Sequence, residues 1–247
     1  MKIADHIKFW STLIKRRYPF APPKTPTNSE ITRLQHYIQL TSATPLGQDA
    51  KPANSVNLYT KTAYAYDWYR MFDLSDDRAC HYLFGDVQFH ATNPTFCKSR
   101  PISATVSNNV LLPLNSVRHF DFVIDHRPFE DKIARAVWRG AAYKKLRKNF
   151  LIVAKNIATI DAADTSDRRK HFLNKMDQLS FQLIFALEGN DVASNLKWIM
   201  GSNCAPVMTK PKFETWFCEG LLEPGKHYIR LADDYSDLQE VIDYHLT

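Results

Sequence analysis

From Ala136 onward, short apolar runs alternate with amphipathic ones, and this alternation constrains the fold more than any other feature of the chain. Ala136-Val137-Trp138, Phe150 to Ile160, Phe181 to Leu187, Cys204 to Met208 and His227 to Leu231 read as strands. A basic helix around Lys144, Lys145, Arg147 and Lys148 follows the first of them, and a helix over Ser236 to Tyr244 opens on a Ser cap. His171 to Phe181 is mixed, and Phe213 to Leu222 reads as a helical turn region. Strand–helix alternation predicts an α/β fold, a parallel sheet covered on both faces.

The first half is less regular. Residues 1–18 carry Ile3, Ile7, Trp10, Leu13 and Ile14 at helical spacing before Lys15-Arg16-Arg17. Such a basic amphipathic helix suits an anionic membrane surface, or packs on its own domain with a charged end. Prolines between Pro19 and Pro26 mark a stiff connector, residues 29–40 a short helix capped by Ser29, and 41–57 a loop. The aromatic run Tyr64 to Met71 reads as core or domain wall, with a sugar platform as the alternative. Strands are expected at His81 to Val87, Thr95 to Lys98, Asn109 to Leu114 and His119 to Ile124. The natural division is an N-terminal domain over 1–127 and a C-terminal domain over 128–247.

A net charge of +6 in 247 residues and a pI near 9.0 favour anionic partners. The basic residues follow no nucleic-acid recognition module, so that class is set aside. Cys80, Cys97, Cys204 and Cys218 show no CxxC spacing, the mark of reduced thiols in a cytoplasmic protein rather than a disulfide frame or zinc site. The first 20 residues lack a signal-peptide pattern, and no apolar run is long enough to span a bilayer.

The stretch Glu188-Gly189-Asn190-Asp191-Val192-Ala193-Ser194-Asn195-Leu196-Lys197-Trp198 holds the densest chemistry. Val192, Ala193, Leu196, Ile199 and Met200 recur at helical spacing, so a helix is expected to start near Asn190 or Asp191. A helix start offers unpaired N–H groups to a phosphate, Ser194 a hydroxyl and Lys197 a mobile charge. Gly85-Asp86 and Lys98-Ser99-Arg100-Pro101 lie where strands give way to loops, the places that build a ligand crevice.

Taken in order, Val137-Trp138-Arg139-Gly140, the 188–198 stretch, Pro224 to Leu231 and Asp234 to Leu238 resemble glycosyltransferase family 90. Lys98 to Ile102 and Leu112 to Asn115 bring the resemblance nearest to its bacterial, lipopolysaccharide-core branch, over roughly residues 80–247. The resemblance implies a GT-B fold, two Rossmann-like domains with the donor in the cleft between them. It also implies inverting transfer of a hexose from a UDP-sugar to a lipopolysaccharide core sugar. No cofactor and no catalytic metal are implied beyond the UDP-sugar donor itself, and the place of work is the cytoplasm, with peripheral contact at the inner membrane. Relatives continue past the equivalent of Ser236–Tyr244 with helices that cross back to the first domain, whereas this sequence stops at Thr247.

Inverting transfer needs a base for the acceptor hydroxyl and positive charge on the departing diphosphate. The family's base maps to Asp86, with Asp121 and Asp125 in reserve; a turn Asp ending a strand is the plain alternative. Arg139 matches the family's Phe-Arg-Gly arginine, and Gly140 lets the chain turn so that the guanidinium approaches phosphate; a salt-bridged strand end is the alternative. Asn195 stands where animal members carry Arg, which moves charge neutralisation onto Lys197, Arg139 and either Arg100 or Lys98. Donor binding is thus expected of Arg139, Gly140, Gly189, Asn190, Asp191, Ser194, Asn195 and Lys197, with Lys98, Ser99 and Arg100 as phosphate or acceptor contacts. The competing function is a shortened, non-catalytic relative that binds a nucleotide sugar or anionic glycan.

Overall fold

The computed structural model describes residues 25–40, 44–103, 105–167 and 170–246. The expected amphipathic helix over 1–18 lies outside the described residues, as does most of the proline-rich connector. The chain divides into two compact units. One comprises Met1–Gly85, His90–Lys98 and Thr105–Ser116; the other comprises Asp86–Phe89, Ser99–Ala104 and Val117–Thr247.

The helices are α1 (Asn28–Tyr37), α2 (Thr62–Trp68), α3 (Ser116–His119), α4 (Lys145–Ala154), α5 (Lys175–Gln178), α6 (Leu196–Met200) and α7 (Leu238–Leu246). The strands are β1 (Lys51–Pro52), β2 (Ala79–Leu83), β3 (Thr95–Cys97), β4 (Ser99–Pro101), β5 (Asn109–Leu111), β6 (Ile133–Gly140), β7 (Ile160–Asp164), β8 (Phe181–Phe185), β9 (Ala205–Thr209), β10 (Phe213–Thr215) and β11 (Ile229–Leu231).

The first unit carries a sheet ordered β1-β2-β3-β5, parallel except for the short antiparallel β1. The aromatic run is core. Trp68 is fully buried, stacks on Phe72 at 4.2 Å and donates its indole N–H to the Ala53 carbonyl at 2.9 Å. Burying such rings contributes roughly 2–3 kcal/mol each. Helix α1 is capped by Thr27, two residues before Ser29. The Glu30 N–H donates to the Thr27 hydroxyl at 3.3 Å, and the Glu30 carboxylate accepts the Thr27 N–H at 2.8 Å.

The second unit is built on a five-stranded sheet ordered β11-β9-β8-β6-β7, all pairs parallel. Alternate residues of β8 serve opposite faces. Leu183 and Phe185 join Trp138, Phe150, Val207 and Leu231 on one side; Ile184 joins Val137, Leu196, Ile199 and Met208 on the other. A sheet buried on both faces produces the near-continuous apolar runs seen in the sequence. A separate antiparallel pair, β4 with β10, sets Arg100 directly opposite Glu214.

Four local expectations fail, each for a tertiary reason. The run from Phe150 is helical through Ala154, and strand β7 begins only at Ile160. Phe150 and Ala154 share one buried helix face, and Phe150 packs edge-on against Trp138 and Phe185. No strand forms over His119 to Ile124: α3 ends at His119, and Lys175 and Lys132 hold Asp121 and Asp125 in place. Residues 213–222 form β10 and a 3₁₀ turn over Glu219–Leu221, as Glu214 is drawn to Arg100. The helix expected at Asn190 begins only at Leu196, because the polar residues before it bond to distant segments instead of capping it.

Candidate functional site

Strand order in the five-stranded sheet decides where a ligand can sit. The chain passes from β6 to β7 on one side and resumes with β8 on the other. Loops leaving the carboxyl ends of β6 and β8 therefore part, and in open parallel sheets such a switch point is where ligands bind.

Arg147, near the start of α4, occupies that point. Its Nε–H donates to the Glu188 carbonyl at 3.1 Å, Nη1 to the Ala141 carbonyl at 3.1 Å and Nη2 to the Leu187 carbonyl at 2.8 Å. These are loop residues after β6 and β8, so the guanidinium ties the two loops together. Three of its five N–H donors are used, all on neutral carbonyls. Burial desolvates the charge and holds its pKa below the ordinary arginine value, with a further unfavourable influence from Arg118. A Cβ on Gly189 would approach Arg147 Nη2 to 3.0 Å, so the glycine leaves the guanidinium its position. A desolvated cation with donors to spare is suited to a phosphate oxygen.

The acid side of the site is assembled from three segments of the same unit. Gly85 adopts φ 124°, a backbone open to glycine, and turns the chain into the exposed Asp86. Asn190 Nδ2 donates to Asp86 Oδ2 at 3.0 Å. Next to it, the buried Ser99 Oγ donates to Asp191 Oδ2 at 2.6 Å and accepts the Val87 N–H at 3.3 Å. Segments 86–87, 99 and 190–191 are thus held together by a short hydrogen-bond chain. Glu188, one residue before Gly189, accepts the Lys212 and Phe213 N–H groups at 3.0 and 3.2 Å, and burial pushes its carboxyl up to about 7.

Residues 115–247, more than half of the chain, match the model described as glycosyl transferase family 90. The chain belongs to glycosyl transferase family 90. It is also similar to the O-glucosyltransferase LpsA of Dichelobacter nodosus, with 44% identity over 165 residues, 64% of this chain and 52% of that protein. The chain therefore spans about half the length of the curated relative it matches.

Within this family 90 chain, several residues expected to face the donor are committed elsewhere. Lys197 is fully buried, its ammonium paired with the Glu219 carboxylate and 5.5 Å from the Phe217 ring centroid. It is not the mobile charge expected from its place in the sequence. Arg139 binds Asp161 Oδ1 at 2.8 Å and donates to the His171, Trp138 and Asp161 carbonyls, the salt-bridged strand end of the alternative reading. Gly140 is required by packing, since a Cβ there would meet the Trp138 ring at 2.7 Å. Arg100 is buried with two contacts to Glu214 Oε1, at 2.8 and 2.7 Å, and Asn195 donates to the Phe185 carbonyl at 2.9 Å. Ser194 is half-buried ahead of α6, and Lys98 is buried in the first unit.

The reserve bases are likewise occupied. Asp125 accepts Lys132 Nζ at 2.8 Å and the Asn203 N–H at 3.0 Å, while Asp121 pairs with Lys175 at 2.6 Å. Among the described residues, no group of three or more His, Cys, Asp or Glu could hold a metal ion, and no helix is long and apolar enough to cross a membrane.

In the sequence, Arg147 stands out only as one charge of a basic helix. A finer signal does exist. Arg147, Phe150, Leu151 and Ala154 recur at i, i+3, i+4 and i+7, which puts this arginine on the inward stripe and Lys145 and Lys148 off it.

Proposed function

We propose that this chain carries the donor site of an inverting hexosyltransferase, which moves glucose or galactose from a UDP-sugar to a lipopolysaccharide core sugar. The carrying observation is Arg147 at the switch point of the parallel sheet, bound only through main-chain carbonyls to both crevice loops. Family membership and the similarity to an O-glucosyltransferase support the reaction class.

In this reading the diphosphate lies against Arg147 and the 189–191 loop. Asp86 takes the proton of the acceptor hydroxyl as that oxygen attacks the anomeric carbon, and the C–O bond to the diphosphate breaks. Arg147 offsets charge that grows on the leaving oxygen, in a desolvated setting where that interaction counts most and without a catalytic metal. Asn190 orients Asp86, and Ser99 with Asp191 fixes the loop that carries Asn190. The proposal extends to a GT-B arrangement with the five-stranded sheet as its nucleotide half, working at the cytoplasmic face of the inner membrane.

The test is UDP release from UDP-glucose and UDP-galactose with and without core oligosaccharide. Acceptor-dependent release, lost in Asp86→Asn, is the expected result. UDP binding with no turnover for any donor would instead indicate a non-catalytic relative.

A further inference from the structure

Glu188 is held from two sides at the carboxyl end of the parallel sheet. On the β6 side its carbonyl accepts the Arg147 Nε–H at 3.1 Å. On the β9 side its carboxyl Oε1 accepts the N–H groups of Lys212 and Phe213, where the chain enters β10, at 3.0 and 3.2 Å. Two donors fill the acceptor sites of Oε1. Oε2 takes no hydrogen bond among the described residues, and the half-buried side chain keeps this oxygen in contact with solvent. The Lys212 ammonium is engaged instead with Asp233 Oδ2 at 2.9 Å.

A residue needed only to hold 212 and 213 would do so as glutamine, whose amide oxygen accepts the same N–H groups with no charge to desolvate. The open second oxygen of a carboxyl therefore points to a ligand. Ionised, it repels a diphosphate. A hydroxyl suits both protonation states, since it donates to the carboxylate and accepts from the acid. Neighbouring strands lie about 5 Å apart. A ligand whose phosphate meets Arg147 on the β6 side thus has the hydroxyls of its attached sugar within reach of the β9 side.

We propose that Glu188 is a further donor-binding residue, whose Oε2 accepts a hydrogen bond from a sugar hydroxyl of the nucleotide sugar, on its ribose or its hexose. This inference rests on the reading of the Arg147 crevice as a nucleotide-sugar site. Gly189 leaves the approach clear, because the residue after the carboxyl carries no side chain, and its N–H is tied to the Asp191 carbonyl at 3.0 Å, which fixes the turn. The guanidinium takes the charge of the ligand and the carboxyl its hydroxyls, and the main chain of Glu188 fixes the two relative to each other.

The experiment is calorimetric titration at pH 8 of the full chain and its Glu188→Gln variant with UDP, 2′-deoxy-UDP, 3′-deoxy-UDP and UDP-glucose, with melting temperatures to verify folding. A ribose contact predicts that the unaltered chain binds one deoxy ligand roughly tenfold or more weaker than UDP, and that the variant discriminates by about threefold or less. A hexose contact predicts that the deoxy ligands behave alike in both proteins, while the ratio of UDP-glucose to UDP affinity falls roughly tenfold in the variant. If every affinity ratio is the same in the folded variant as in the unaltered chain, the proposal is overturned and the site reading stands. If the unaltered chain binds no UDP, the site reading falls, and this inference with it.

Discussion

Asn190 Nδ2 lies 3.0 Å from Asp86 Oδ2, joining residues 104 positions apart in the chain. The loop that passes Arg147 therefore also orients the proposed base, so base and leaving-group charge are positioned by one element. Asn190→Ala is expected to slow transfer by about tenfold with little change in donor KM, because orientation and not charge is lost. Asp86→Asn should reduce transfer by a factor of roughly 10² or more while UDP binding and melting temperature stay unchanged. Steady-state UDP release with parallel calorimetry distinguishes the two.

Arg147→Ala should weaken UDP binding by about 100-fold, and Arg147→Lys should recover little of it. An ammonium is a point charge that cannot reach three carbonyls and a phosphate together. Equal UDP affinity in the lysine variant would remove the guanidinium geometry from the account.

Lys197 and Glu219 predict a stability effect rather than a binding effect. Lys197→Met leaves the Glu219 carboxylate buried with only the Thr215 N–H and hydroxyl, at 2.6 and 3.0 Å, to satisfy it. Losing half of a buried pair costs about 3–5 kcal/mol. The double variant Lys197→Met with Glu219→Gln should regain most of that and bind UDP normally. Urea denaturation measures the first claim and titration the second.

Glu188 gives the fold a pH dependence. Its folded pKa, about 7, lies above the unfolded value of about 4.5. The native state therefore holds this proton more tightly, and stability falls as pH rises from about 4.5 through 7, by an amount on the order of 3 kcal/mol at most. Glu188→Gln cannot take on the charge, so its stability should decline less than that of the unaltered chain between about pH 5 and 8. Parallel slopes in chemical denaturation across that range would discard the assignment.

Much of the fold was readable. The strands of the parallel sheet betray themselves as apolar runs because both faces are buried, and in the aromatic run at 64–71 Tyr64 and Trp68, four residues apart on α2, share one buried helical face with Tyr69 beside them in the same cluster. Boundaries failed where polar residues had better partners than their own backbone. Asn190 and Asp191 look like helix caps in isolation but are spent on Asp86 and Ser99.

By itself, the sequence determined the α/β class, the family and the loops that bear the candidate site, since periodicity and motif order are local properties of the chain. Only the tertiary structure decided which positive charges remain for a ligand. Arg139, Lys197 and Arg100 each meet a carboxylate, on Asp161, Glu219 and Glu214, that lies 22 to 114 residues away. Arg147 meets carbonyls instead. Spacing along a chain tells which face a charge occupies, but the group opposite that face is set by the topology of the sheet.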